Sequence, residues 1–327
     1  MESTSVLETL HQFLPGLPPG MLEAWGQFAL FAVPVCLYFA AVVLPFVVLY
    51  GLIRAHFGRR SLLERCSRQQ ARLGNVLNWL FLFFTVGVWA SGSAFLENLH
   101  PAYRLALYVC AGLLLGGTLL WTVVVTAWKP LRARPVLHGV LAFVVGTCLA
   151  WIPVIGLLLA RLCVQGTELP PESDLRTLAA LLLPPPNDAF WLYFGLLHFL
   201  EVAAAGSFGL CWLLVRRRID DFGRDYYVFA ANWCGEWAAW GGWLTLLLTG
   251  GLCAMLRWQG LLPFEREGVP AFVGVLFVTV LVPAVLWTVI ARSAAPMRHK
   301  IGMVVSLLFL IAAVTNLGAL VSLLPAV

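Results

Sequence analysis

Several stretches of this 327-residue chain are apolar for more than 20 residues. At about 1.5 Å of rise per residue, each is long enough to cross a hydrocarbon core of about 30 Å as a helix. The composition agrees: 61% of residues are hydrophobic and only 11% are charged, against about 25% charged in soluble domains. Strands of an outer-membrane barrel would alternate apolar and polar residues over about ten positions, and these runs do not alternate. A nucleic-acid domain is excluded as well, because the formal net charge of +5 comes from arginines in short segments between apolar runs and not from a basic face. The sequence therefore predicts an all-α polytopic membrane protein.

Apolar runs read against their charged, glycine and proline flanks give spans at 27–53, 75–96, 102–127, 136–162, 189–215, 227–256, 269–292 and 300–324. With the first span running inward, the inner loops collect Arg54 to Arg72, Lys129 to Arg134, Arg216 to Arg224 and Arg292 to Lys300, sixteen of the 21 basic residues. The outer side keeps Arg104, Arg161, Arg176, Arg257 and Arg266 beside most of the acids. By the positive-inside rule both termini lie outside the cytoplasm. The first 25 residues contain three prolines and no basic n-region, so a cleaved signal peptide is not expected and the first span does the targeting.

The longest outer connection, at 163–188, is acidic and proline-rich at both ends, with an apolar LAALLL core suited to a short interfacial helix. It divides the chain into an outer N-terminal segment (1–26), a first four-helix half (27–162), the connecting loop (163–188) and a second half (189–327). Within each half a basic turn of one pattern separates the third and fourth spans, with Pro135 and His138 in ARPVLHG and Pro296 and His299 in AAPMRHK. Four spans per half preserve orientation, so the turns suggest two parallel four-helix repeats. Proline's fitness for the first helical position is the simpler explanation of the match.

Ionisable groups inside spans are expensive and usually face a bundle interior. His198 and Glu201 lie three apart on the fifth span, and Glu236 lies on the sixth. The expected depths bring both glutamates near mid-membrane on adjacent antiparallel helices. One reading is a haem or quinone pocket, with His198 as iron ligand or quinone hydrogen-bond partner and Glu201 and Glu236 as proton-carrying catalytic groups. The alternative is a buried network with Asn232 that ties two helices together. His138 and His299 are expected at the inner interface as structural or headgroup contacts, and His100 in an outer loop as a docking residue. Trp233, Trp237, Trp240 and Trp243 stripe one face of the sixth span, as core packing or as the wall of a flat ring. Small-residue patches at 112–118, 203–209 and 249–251 permit close approach of helices or of a macrocycle. The eight cysteines contain no C-x-x-C pair and no haem-attachment run, so neither c-type haem nor an iron–sulfur cluster is expected.

Against these residues the chain resembles subunit I of the cytochrome bd quinol oxidases. FAVPVCLYFAAVVLPFVVLYGLIRAHFG and RLGNVLNWLFLFFTVGVWASGSAF are similar to that family's opening pair of spans, PVLHGVLAF to the start of its fourth, and LLHFLEVAAAGSFGLCWLLVRRR to its fifth. The resemblance implies the bacterial inner membrane, quinone as substrate and haem b, with His198 in the place of the low-spin haem ligand. The departures bear on the chemistry. No histidine stands in 27–53, no carboxylate in 102–127 and no methionine in 269–292, and the loop after the sixth span is cut to about a dozen residues around LLPFEREG. Oxygen reduction is therefore not expected. The sequence reads best as an integral membrane subunit of a respiratory electron-transfer complex. It would work with other membrane subunits and exchange electrons between quinone and an outer-side multihaem cytochrome or iron–sulfur subunit. A cofactor-free structural anchor of such a complex is the alternative. A transporter is weaker, since only Pro153 and Pro283 hint at broken helices.

Overall fold

The structure, a computed structural model, describes residues 19–58, 61–92, 101–165, 184–185, 188–220, 222–266 and 268–321. The described residues are helical with no strand, and eight helices are long and apolar enough to cross a membrane. The spanning helices are α1 (Pro19–Gly58), α2 (Ser61–Ser91), α3 (Pro101–Thr126), α5 (Pro135–Gln165), α6 (Phe190–Arg216), α7 (Arg224–Trp258), α8 (Gly268–Arg292) and α9 (Lys300–Val321). A short α4 (Trp128–Arg132) turns the chain between α3 and α5, and a 3₁₀ turn at Pro296–Arg298 precedes α9. Helix is the form that satisfies every backbone polar group inside lipid.

Two helix starts differ most from those read in the sequence. Helix α1 starts at Pro19 and not at 27, and α2 starts at Ser61 and not at 75. The basic stretch before 75 is therefore mostly helix. Its sequence, SLLERCSRQQARLG, hides Leu63, Cys66, Ser67, Gln69, Gln70 and Leu73 while exposing Arg65 and Arg68. An amphipathic turn repeat carries α2 beyond the bilayer, and an apolar-run reading cannot see it because the polar face interrupts the run.

Helices α1, α2, α3 and α5 pack as one ring of four, and α6, α7, α8 and α9 as another. Helix α1 also packs on α6 and α9, so it forms the seam between the halves. Small residues set the closest approaches. A Cβ at Gly206 of α6 would stand 2.8 Å from Ala238 Cα of α7, and one at Gly241 of α7 would stand 2.9 Å from Ala203 Cα of α6. Neither helix has space for another atom there, which is how van der Waals packing holds helices together in lipid.

Polar ties fix the two ends. At the end that carries Arg65, Arg68, Arg216 and Arg224, here the basic end, Asp220 accepts from Arg216 Nε at 2.8 Å, Arg216 Nη2 at 2.9 Å and Gln69 Nε2 at 3.1 Å. Tyr226 donates to Gln69 Oε1 at 2.8 Å, and the Tyr227 hydroxyl donates to the Asp220 carbonyl. The turn reaches α7 through Gly223, whose φ of 81° and ψ of 161° suit glycine. At the other end, buried Arg161 pairs with Asp188 at 2.7 Å, while Asp188 Oδ1 accepts from the Phe190 N–H at 2.9 Å and starts α6.

The two Pro-x-x-His turns take different forms. Pro135 opens α5 and His138 is buried, whereas Pro296 belongs to a separate 3₁₀ turn and His299 is exposed, 3.2 Å from Ser293 Oγ. The LAALLL segment, His11, His100 and Arg176 lie outside the described residues.

Candidate functional site

His198 and Glu201 meet as their spacing requires. Both sit on α6, where the i,i+3 relation brings side chains onto one face, and His198 Nδ1 lies 3.1 Å from Glu201 Oε2. Their environments differ. The Glu201 side chain is 2% exposed and that of His198 is 32% exposed. Glu201 faces inward within electrostatic reach of Tyr38 on α1, whose hydroxyl donates to the Leu149 carbonyl of α5 at 2.7 Å. Glu201 Oε1 has no hydrogen-bond partner among the described residues. The His198 ring packs edge-to-face against Phe194, with centroids 4.3 Å apart. The pair thus joins the flank of the bundle to its interior near the middle of a 27-residue helix.

Glu236 does not join them, contrary to the sequence expectation. Its side chain is exposed and lines a separate lateral groove of about 370 Å³ with Tyr50, Arg54, Phe199, Val202, Trp233 and Trp237. Phe199 and Val202 occupy the helix face next to that of His198 and Glu201, about 100° around α6. Adjacent antiparallel helices were read correctly, but which side of α7 faces α6 is decided by glycine. Gly235, Gly241 and Gly242 make the close contacts to α8 and α6 and turn Glu236 away from Glu201. The tryptophan stripe follows the same rotation. Trp233 is buried and Trp237 half-buried, while Trp240 and Trp243 are 69% and 41% exposed on the bilayer side. The stripe is thus divided between core and lipid.

The small-residue patch at 203–209 is occupied by α7, because Gly206 abuts Ala238 and Cys234, and Ala203 abuts Gly241. A macrocycle does not fit between these helices. Among the described residues no group of three or more His, Cys, Asp or Glu side chains could hold a metal ion.

A cavity of about 580 Å³ lies at the basic end between α1, α4 and α5. Its wall includes Leu52, His56, Trp128 and Arg132, with Arg132 paired to Glu64 at 2.7 Å. His138, expected at a solvent-reachable interface, is instead 1% exposed. Its ring meets Trp128 edge-to-face at 4.5 Å, and its Nε2 has no hydrogen-bond partner among the described residues. Burial of His138 comes from α4, a five-residue helix folded over it, which no apolar-run reading registers. The Gln69–Asp220–Tyr226 network was also missed. Its signal was present in the paired glutamines of α2, which recur with Leu63, Cys66 and Leu73 on one helical face.

The chain matches no known protein family, no curated protein and no solved structure.

Proposed function

We propose that this chain is an integral membrane subunit of a respiratory electron-transfer complex, and that His198 and Glu201 carry protons for membrane quinone. One observation supports the reading above the others. A histidine open to the flank of the bundle is hydrogen-bonded to a fully buried carboxylate whose second oxygen is unpartnered. A buried carboxylate is costly in lipid without a task, and an imidazole ring has two nitrogens with which to take up and pass on a proton.

Quinone chemistry supplies the task. Oxidation of a quinol to the quinone releases two protons and two electrons. His198 accepts the two protons one after the other at its exposed edge, the ring hands each from Nδ1 to Glu201 Oε2, and Glu201 releases each from its unpartnered Oε1 into the bundle interior. The electrons leave to an outer-side multihaem cytochrome or iron–sulfur subunit, because the chain contains no c-type haem or iron–sulfur motif of its own. Reduction runs the same steps backward. Glu236, in its own groove, takes no part. The likeness to the cytochrome bd subunit enters here as support for quinone and for the bacterial inner membrane, and the basic inner loops as support for both termini outside the cytoplasm.

A second reading, the cofactor-free anchor, draws on the filling of the 203–209 patch by α7. Quinone turnover by the purified complex separates the two. Under the leading reading, Glu201→Gln and His198→Ala each lower turnover at least tenfold, the scale of a removed proton-transfer group, while the complex still assembles. Wild-type turnover in both variants leaves the anchor. An absorbance spectrum with pigment extraction tests for haem b independently.

A further inference from the structure

The lateral groove that holds Glu236 contains two opposite charges that do not meet. Arg54 and Glu236 line the same cavity of about 370 Å³, yet neither has an ion-pair partner among the described residues, and they do not pair with each other. Arg54 Nη1 is only 3.4 Å from the Tyr50 hydroxyl, and its guanidinium stands 5.7 Å from that ring's centroid. Stacked and edge-on rings line the same groove. Tyr50 stacks with Trp233 at 5.8 Å and meets Trp237 edge-on at 5.7 Å, and Trp233 meets Trp237 at 6.0 Å. Aromatic faces around a carboxylate form the environment that attracts an organic ammonium.

Packing registers the depth of this groove. Gln70 of α2 donates to Cys234 Sγ of α7 at 2.9 Å, and α2 carries Arg68 and Arg72 on either side of Gln70. Glu236 lies two residues beyond Cys234, about 3 Å along α7, so it sits within about one turn of the level of Arg68 and Arg72. Side chains lean toward the N-terminus of their own helix. Helix α1 runs toward the basic end and α7 away from it, so Arg54 leans deeper and Glu236 leans back, and the two converge on the rings. Exposed Trp240 and half-buried Leu244 continue the wall along α7.

We infer that this groove binds the headgroup of a zwitterionic aminophospholipid from the leaflet at the basic end. The ammonium lies against Glu236 and the Tyr50, Trp233 and Trp237 rings, the phosphate takes Arg54, and an acyl chain runs along Leu244. Opposite charges held apart at headgroup depth match a zwitterion on both counts, whereas an anionic lipid would meet Glu236 unfavourably and a simple cation would meet Arg54.

The test is lipid retention by the purified full chain, read by native mass spectrometry after exchange into vesicles of phosphatidylethanolamine or phosphatidylglycerol, with thermal melts alongside. The wild type should retain phosphatidylethanolamine about tenfold better than phosphatidylglycerol, the scale of about one charge-assisted contact. Arg54→Gln and Glu236→Gln should each abolish that preference, and the double variant should lose no more than either alone. Both side chains are exposed, so the variants should fold. Equal retention of the two lipids by the wild type overturns the proposal, as does a preference that survives both substitutions. Equal loss of melting temperature in lipid-free detergent for both variants would mean that Arg54 and Glu236 pair directly, which also overturns it. Displacement of the lipid by millimolar phosphorylethanolamine would reassign the groove to a soluble zwitterion.

Discussion

Substituting Gly206 by alanine tests whether the α6–α7 contact is as close as the structure has it. The added Cβ would stand 2.8 Å from Ala238 Cα, with the Cys234 and Ala238 backbone on either side. A carbon–carbon contact settles at about 3.5–4.0 Å, so the helices must part by about 1 Å. The neighbouring atoms belong to backbone, and no side chain can rotate aside. A gap of that size forfeits a quarter to a half of the dispersion energy of each contact it opens, and Gly241 against Ala203 lies on the same seam. The expected destabilisation is about 1–3 kcal/mol, the scale of overpacking a filled core. Gly116→Ala supplies the control. Nothing lies within 4 Å of a Cβ there, so alanine's helix propensity should leave stability unchanged or raise it by up to about 1 kcal/mol. Unfolding in mixed micelles, followed by tryptophan fluorescence, measures both. If Gly206→Ala unfolds with the wild type, or if the two alanines shift stability equally, the close α6–α7 packing is wrong, and with it the exclusion of a macrocycle.

Asp220→Asn keeps the shape of the turn but weakens its hold on Arg216 and Gln69. Because both members of the ion pair are partly exposed, the expected cost is about 1–2 kcal/mol in thermal melts, with Tyr226→Phe costing about 1 kcal/mol through the lost bond to Gln69. At the opposite end Arg161 and Asp188 are 9% and 4% exposed. Either alanine substitution alone should cost about 3–5 kcal/mol by stranding a buried charge, and the double variant should cost less than the sum; strict additivity would mean that the pair is not coupled. Orientation is tested by single cysteines labelled with an impermeant maleimide in intact cells. An added C-terminal cysteine should label and a cysteine at Arg59 should not, and the reverse pattern would invert the assigned orientation.

Much of the fold was legible because lipid leaves few options. A run of 20 apolar residues with no partner for its backbone except itself becomes a helix, so eight spans and their succession follow from hydropathy alone. The meeting of His198 and Glu201 was legible for a similar reason, since i,i+3 neighbours share a face whatever surrounds the helix. Residues on different helices were another matter. Glu236 was placed on the right helix but on the wrong side of it, because the facing of α7 depends on Gly235, Gly241 and Gly242 meeting neighbours that are distant in sequence. The basic segment before Gly74 read as a loop, because its buried face is built from Cys66, Ser67, Gln69 and Gln70, which become interior only when Tyr226 and Cys234 arrive against them.

By itself, then, the sequence determined the solvent this chain belongs in, the number and order of its helices, and the contacts that one helix makes with itself, all of which follow from local hydrogen bonding and the thickness of a bilayer. Tertiary structure decided how each helix is rotated about its axis. In a bundle whose helices are apolar nearly all round, no hydrophobic stripe specifies that rotation, and small-residue contacts between helices do. That rotation separated Glu201 in the interior from Glu236 in a lipid-facing groove.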